Sequence, residues 1–536
     1  MSKYNLIDEP WIPVRDLKGS RKELGILETL TTAENISVIE DSSPLVTAAL
    51  HRFLLAVLYR ALEGPCDIDE AKKYFKEGLP KDKIKQYLEK WNDRFWLFDE
   101  KYPFGQIPDF TPKAWRSWTV IAAEHNADNA KVLFDHIDVS ASGSIGYAAA
   151  ARWLLATQTF AVSTGKSELS HTGTSPSAGA LMAIPIGKTL ADTLLFCLVP
   201  QNRDVFINDL PVWERSRESL ESLKSGVKRK LSGITNLYSW QGRSVRFKND
   251  NTERVSEIAF ASGVGYEDSG VIDPMLAYAI VDVKDKETKE TTKKKVTVHL
   301  GDRGAWRDFD SLLPDDTQLA PKVIQNMIAL TRNSPEKMAD SVMVLGQKYN
   351  PPRPNIVFWR MEKFTLPKAM ASDRYIRGDI HSYLEEAKDV SKSLYSACAS
   401  YAQSLLSRGE RKPEKKDVSN FIEQIPSLPQ YWSMLEAKFH EVLRDYTLDK
   451  NPDDIHHEWL VAVRNALSSA WKLHQDSIAG GDIWAIRAMA KADVVIGKKI
   501  AELHKSIQSL RIPINVATKT GGCCHPLGQP VNFPGI

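Results

Sequence analysis

The chain has 536 residues, with 43% apolar and 26% charged side chains and a formal charge of +2. That length predicts at least two domains with a substantial core, and the composition excludes wholesale disorder. A charge so near zero argues against a protein that holds nucleic acid alone over a long footprint, and leaves room for local basic patches.

Cys66, Cys197 and Cys398 stand singly in apolar surroundings and read as reduced core residues. No signal peptide is read at the start, and the most apolar stretch, 180–200, is broken by Pro185, Lys188 and Asp192. A cytoplasmic protein with no membrane partner is expected.

Residues 5–14 read Asn5-Leu6-Ile7-Asp8-Glu9-Pro10-Trp11-Ile12-Pro13-Val14. Pro10 and Pro13 hold Trp11 and Ile12 extended and remove two backbone donors, which predicts an edge strand or a fixed turn anchored by Trp11. Residues 43–62 predict a helix, with Ser43 as cap, Pro44 in the first turn, and Leu45, Ala49, Phe53, Ala56 and Val57 at helical spacing. A second, alanine-rich helix is predicted over 147–164. Residues 275–283 and 294–300 predict a hairpin around a mixed-charge loop at 284–290.

From about residue 372 the pattern changes to long amphipathic runs. Ile380, Tyr383, Leu384, Ala387, Val390, Leu394, Ala397, Tyr401 and Leu405 recur every three or four positions, and Gly409 and Pro413 break the helix. Further helices are predicted over 418–445, 454–474 and 483–510. The expected fold class is α+β: a mixed α/β domain over 1–370, an antiparallel four-helix bundle over 371–512, and an extended or disordered tail over 513–536.

Enzyme signatures are incomplete. Gly187-Lys188-Thr189 resembles the end of a phosphate loop, but Met182 stands where its first glycine belongs, so a strand-end turn is expected. His440-Glu441 and His457-Glu458 lack the second histidine of a zinc-protease helix, and Cys523-Cys524-His525 has no second ligand pair nearby. Gly173-Thr174-Ser175-Pro176-Ser177 lacks the second glycine of a nucleophile elbow. No catalytic residue, metal or cofactor is expected. The residues alone favour a binding and assembly protein, with a hydrolase-like enzyme in the mixed domain or a helical scaffold as alternatives.

Several short segments, taken together and in order, resemble one family. They are residues 5–14 with Leu24-Gly25-Ile26-Leu27-Glu28; His51-Arg52-Phe53-Leu54; Phe95-Trp96-Leu97-Phe98 with Pro103-Phe104-Gly105-Gln106; Asn129-Ala130-Lys131-Val132-Leu133-Phe134; the helix at 148–158; Ser239-Trp240-Gln241-Gly242-Arg243; Asp273-Pro274-Met275; and Trp306-Arg307-Asp308. The resemblance is to the large subunit (CasA type) of the type I-E CRISPR surveillance complex, Cascade. It implies a non-catalytic subunit partnered by guide RNA, other Cascade subunits, target double-stranded DNA and the helicase–nuclease of the system. Such a subunit recognises the protospacer-adjacent motif, aids strand opening and recruits the nuclease. Guide pairing then reads most of the sequence and protein reads a short duplex element beside it.

The resemblance also implies site residues. Asn129 and Phe134 fall in the segment that contacts the RNA handle, where an aromatic ring suits a splayed base. The minor-groove loop falls near Gly173, Thr174 and Ser175. The wedge hairpin falls at 347–355, with Tyr349, Asn350, Arg353 and Asn355 as DNA contacts. The family's DNA-contacting lysine aligns near Ser262-Gly263, where this chain has none, and Arg254 or Lys248 are its candidate substitutes. The bundle is implied to pack on small subunits and the displaced strand.

Three basic clusters add candidate phosphate contacts. In the first, Lys284, Lys286 and Lys289 are expected to face Lys293, Lys294 and Lys295 across the hairpin. The others are Lys224 with 228–230, and Arg411, Lys412, Lys415 and Lys416 in the bundle.

Overall fold

The computed structural model describes residues 4–125, 143–163, 168–170, 173–249, 252–267, 269–284, 291–301, 303–314, 319–350, 355–371, 373–409, 412–448, 450–478 and 482–511. The chain divides into two compact units, one of Met1–Lys388 with Glu436–Lys450 and one of Asp389–Leu435 with Asn451–Ile536. The fold is α+β, with a C-terminal helical region.

The first unit is organised around the helix Pro44–Leu62. Ser43 caps it by accepting from the Val46 N–H at 3.3 Å, with Pro44 in the first turn as expected. This is the only helix among the described residues long and apolar enough to cross a membrane, and 94% of that apolar window is buried inside the protein. Phe53 sits at its centre, with the rings of Trp11, Phe95, Phe104 and Trp213 all 5.6–6.4 Å away. Burying such rings contributes the largest apolar area per residue.

Trp11 is fully buried and its Nε1 donates to the Leu6 carbonyl at 2.8 Å, so the anchor is real. The edge-strand expectation fails, however. Strand Ile12–Asp16 lies between Arg21–Leu24 and Ile36–Ile39. It tolerates Pro13 because pairing with Ile36–Ile39 covers only Val14 to Asp16, so the missing N–H falls outside that ladder.

Three strands, Met182–Ile186, Ser341–Asn350 and Asn355–Thr365, form one antiparallel sheet with Ser341–Asn350 central. Arg243–Phe247 and Arg116–Ser117 flank Glu257–Ser262 in another. Tyr278–Lys284 and Thr291–Thr297 form the expected hairpin. Met275 to Ala277, expected in its first strand, instead join the sheet side: Met275 accepts from the Ala183 N–H, and Leu276 bridges Met182.

The helix Tyr147–Phe160 ends four residues before the expected 164, since Ala161 leaves helical geometry to accept from the Ser175 N–H at 2.8 Å. At 187–189 the expected turn is found, where Thr189 and Asp192 form a capping box for Leu190–Cys197. Cys197 and Cys398 are buried thiols, whereas Cys66 is half-exposed beside Glu70.

In the second unit, Pro452–Ser477 packs on Ile483–Arg511 through Asp493, which accepts from Trp471 Nε1 at 2.7 Å and Gln475 Nε2 at 2.9 Å. Residues 389–407 run antiparallel to Ile483–Arg511. Asp389 meets Lys499 at 2.5 Å, while Gly409, beyond the other end, lies against Trp484. The run expected as one helix over 418–445 is two, Lys415–Glu423 and Ser427–Thr447. Pro426 lacks the N–H needed to continue the first helix and its carbonyl opens the second.

Candidate nucleic-acid interface

The segment that leaves helix Tyr147–Phe160 returns to the sheet at Met182, and its described residues 173–181 reach Arg243, Asp273 and Tyr349 of the hairpin expected as the wedge. Gly173 is exposed, and a Cβ added there meets no atom of the described residues within 4 Å. Thr174 Oγ1 accepts from the Ser163 N–H at 3.2 Å. Ser175, expected as a DNA contact, points inward: it is 5% exposed, and its Oγ lies 3.4 Å from the place a Cβ on Gly242 would take. Of this trio Gly173 is exposed, Thr174 half-buried and Ser175 buried.

Behind the segment lies Arg243, 3% exposed. Its guanidinium donates to the carbonyls of Gly242 at 2.6 Å, Val162 at 2.8 Å and Gly173 at 3.3 Å. Burial lowers its pKa to about 10, which still leaves it charged at neutral pH. The Gln158 side chain pairs with both the N–H and the C=O of Arg243, at 3.0 and 2.8 Å. A turn at Ser262-Gly263 closes against the same backbone, with the Gly263 N–H on Gly242 O at 2.9 Å. A Cβ on Gly263 would lie 2.6 Å from Gln241 O and 2.7 Å from Arg243 N, so no side chain fits there.

Further along, Ser177 joins a buried network. Arg52 donates to Asp273 at 2.6 Å and to Ser177 at 2.8 Å, Ser177 donates to Asp273 at 2.9 Å, and the guanidinium lies 4.3 Å from the Tyr238 ring centre. Arg52 and Asp273 are almost fully buried, so their pairing is what makes each charge tolerable inside the fold. The nearby acid at Asp273 adds to burial in holding the Tyr238 hydroxyl neutral, far above its ordinary pKa.

Gly179, at φ +75°, then passes beneath Tyr349: a Cβ there would be 2.6 Å from that ring. Its carbonyl is shared by His299 Nδ1 at 3.0 Å and the Leu300 N–H at 3.1 Å. The segment expected to enter the minor groove and the hairpin expected as the wedge are thus brought together through one glycine. In the hairpin Asn350 is exposed and pairs in register with Asn355, after a bulge between Lys348 and Tyr349. Arg353 and the side chain of Asn355 lie outside the described residues, as do Asn129, Phe134, Lys286, Lys289, Arg411 and the tail over 513–536 with Cys523, Cys524 and His525.

The lysine hairpin differs from expectation in register. Lys293 pairs with Asp282, Lys294 with Val281 and Lys295 with Ile280, while Lys284 pairs with Thr291. The lysines therefore do not face one another. Lys293 and Lys295 share one face of the ribbon and Lys294 takes the other, because side chains alternate along a strand. All three are exposed, beside Ile280, Val281 and Val283, which are also exposed. Lys295 lies 4.7 Å from the Tyr278 ring centre.

The candidate substitutes for the family lysine are both engaged. Arg254 Nε donates to Ser144 Oγ at 2.7 Å, and Lys248 pairs with Glu257 and lies 5.7 Å from the Trp115 ring centre. In the second cluster Arg229 pairs with Glu218 at 3.0 Å, and Lys228 and Lys230 are exposed. In the second unit Lys412 and Lys415 line an open groove of about 680 Å³ with Lys491 and Tyr395. Among the described residues, no group of three metal-ligating atoms gathers around the 173–181 segment.

Sequence reasoning missed Arg243, Gln158, Ser177, Gly179 and His299 as parts of this site. Arg243 and Asp273 lay inside the quoted motifs, so the signal was present without its partners. The motif Pro103-Phe104-Gly105-Gln106 is likewise structural: Gln106 donates to Leu97 O at 2.7 Å and accepts from the Phe247 N–H at 2.8 Å.

Comparison with known proteins gives concordant matches. The family described as CRISPR-associated protein Cse1 matches residues 5–470. CRISPR-associated protein CasA/Cse1 of Thermus thermophilus is 29% identical over 522 residues, covering 95% of this chain and 99% of that protein. The structure of Thermus thermophilus CasA (Cse1) superposes with a TM-score of 0.78 at 26% identity, covering 94% of this chain and 100% of its own. The fold also matches that of Thermobifida fusca Cse1, with a TM-score of 0.74 at 21% identity, covering 94% of this chain and 98% of the other.

Proposed function

This chain belongs to the family of CRISPR-associated protein Cse1, the CasA-type large subunit of a CRISPR surveillance complex, and from that membership we propose that it reads the protospacer-adjacent motif in target DNA. The observation that carries this reading is that the segment exposing Gly173 passes directly beneath Tyr349 of the 341–365 hairpin at Gly179. A slim backbone edge beside a stiff hairpin suits entry into a groove and separation of the adjoining base pairs. Exposed Lys293, Lys294 and Lys295 would hold flanking phosphates without reading sequence.

In this reading Asn129 and Phe134 hold the guide-RNA handle and the C-terminal helices meet neighbouring small subunits and the displaced strand. The opened duplex then recruits the helicase–nuclease, and the work is done in the cytoplasm. The subunit positions and opens DNA and leaves bond cleavage to that partner.

Binding of guide-loaded complexes to duplexes carrying a randomised motif tests the reading. Substituting Asn350 or Tyr349 by Ala is expected to change which motifs are accepted. Changing Lys293, Lys294 and Lys295 together to Ala is expected to weaken binding alike for all motifs and to reduce the salt slope by up to about 3. Motif-independent binding by the wild-type complex would overturn the reading.

A further inference from the structure

The described residues 173–179 of the motif-reading segment form turns and coil, with no helix or strand to fix their backbone. Two of its described anchor points, the carbonyls of Val162 and Gly173, converge on a single side chain. That side chain is Arg243, whose own backbone is held on both sides by the Gln158 amide at the last turn of helix Tyr147–Phe160. A guanidinium is suited to this because its rigid planar fork can donate in several directions at once, whereas an ammonium is a point charge on a flexible stem. Keeping a cation at 3% exposure is costly. A neutral amide would satisfy fewer carbonyls with no such cost, so the cation points to a geometric requirement.

We propose that Arg243 is a positioning residue for motif recognition, clamping Val162 O and Gly173 O so that the Gly173-Thr174 edge is presented in a groove-ready conformation. This rests on the reading of that edge as the motif contact. Arg243 itself, buried behind the segment, touches no DNA. Its charge also lies close behind the edge that would approach phosphates, in an interior where salt screens poorly. The role therefore separates from that of the exposed lysines: loss of Arg243 impairs discrimination between motifs, while loss of the lysines impairs all binding alike.

The test uses whole guide-loaded complexes carrying wild-type subunit, Arg243→Gln, Arg243→Lys or Asp209→Asn. The last serves as a buried control elsewhere, since Asp209 holds the N–H groups of Thr235 and Asn236 at 2.6 and 2.8 Å. Three quantities are measured: co-purification with guide RNA, affinity for duplexes with preferred and scrambled motifs, and affinity for a single-stranded target. Arg243→Gln is expected to lose about tenfold in discrimination between the duplexes, as expected for two lost hydrogen bonds. Single-strand binding should stay within about twofold.

Arg243→Lys is expected to fall between Gln and wild type, and Asp209→Asn to keep full discrimination. If Arg243→Gln fails to assemble, Arg243→Lys decides by the same ratio. Unchanged discrimination in an assembled Arg243 variant overturns the clamp, as does an equal loss on single strands. Absence of discrimination in the wild-type complex overturns the motif-contact reading itself, a result distinguishable from either.

Discussion

Asp273 accepts from both Arg52 and Ser177 inside the first unit, so its charge is the counterweight for a guanidinium that has no access to water. Asp273→Asn should destabilise the protein by about 3–5 kcal/mol in chemical denaturation, because it leaves a buried cation uncompensated. Combining it with Arg52→Met should recover part of that loss, since neither charge then remains. Recovery would separate the penalty of the orphaned charge from the packing of the side chains.

Glu124 gives a pH-dependent counterpart. Burial, and secondarily the neighbouring Asp41, raise its pKa to about 7, against a hydrogen bond from Ser43 that lowers it. The folded chain therefore holds this proton more tightly than the unfolded chain. The associated stability is full below the unfolded value of 4.5 and is lost as pH rises through about 7. Glu124→Gln, which mimics the protonated form, should stabilise the fold at pH 8 by on the order of 1 kcal/mol after screening, read as a higher melting temperature, and leave it unchanged at pH 4. An equal change at both pH values would contradict this assignment.

At the scale of elements, the turn at Ser262-Gly263 leaves no room at 263 for the lysine that the family resemblance led us to seek there. Backbone oxygen and nitrogen occupy the space that a side chain would need. Gly263→Ala should cost about 1–3 kcal/mol, read as a lower denaturation midpoint. Helix Pro44–Leu62 was legible from sequence because cap, proline and apolar period all point the same way. Strand Ile12–Asp16 was not, because whether a proline sits at an edge depends on which neighbour stops pairing and where.

The two helices around Pro426 were merged for a similar reason: the apolar period runs on across a break made by one missing donor. Hairpin existence was legible at 278–297, but its register was not, and register decides whether lysines oppose lysines or Asp282. The place of Arg243 was not legible, since it works on carbonyls far away in sequence that no side-chain pattern announces.

For the whole molecule, a formal charge of +2 over 536 residues means that nonspecific attraction to DNA is weak. The isolated subunit should bind short duplexes feebly, with little motif dependence and steep loss on adding salt. Motif-dependent affinity should emerge only with guide-loaded partners, as checked by titrating both forms against one duplex set. Tight, motif-selective binding by the subunit alone would show that it needs no companions to present its loops.

One feature of the loop bears on how such a reader changes its taste. A methyl group at Gly173 would meet nothing among the described residues. Exchanges at this position should therefore be nearly free of folding penalty, in contrast to Gly179 and Gly263, where neighbouring atoms forbid them. Alanine, serine or asparagine at 173 should melt within about 1 °C of wild type. Position 173 thus offers a tuning dial mounted on a rigid chassis: substitutions there can explore new target preferences while the scaffold carries no burden.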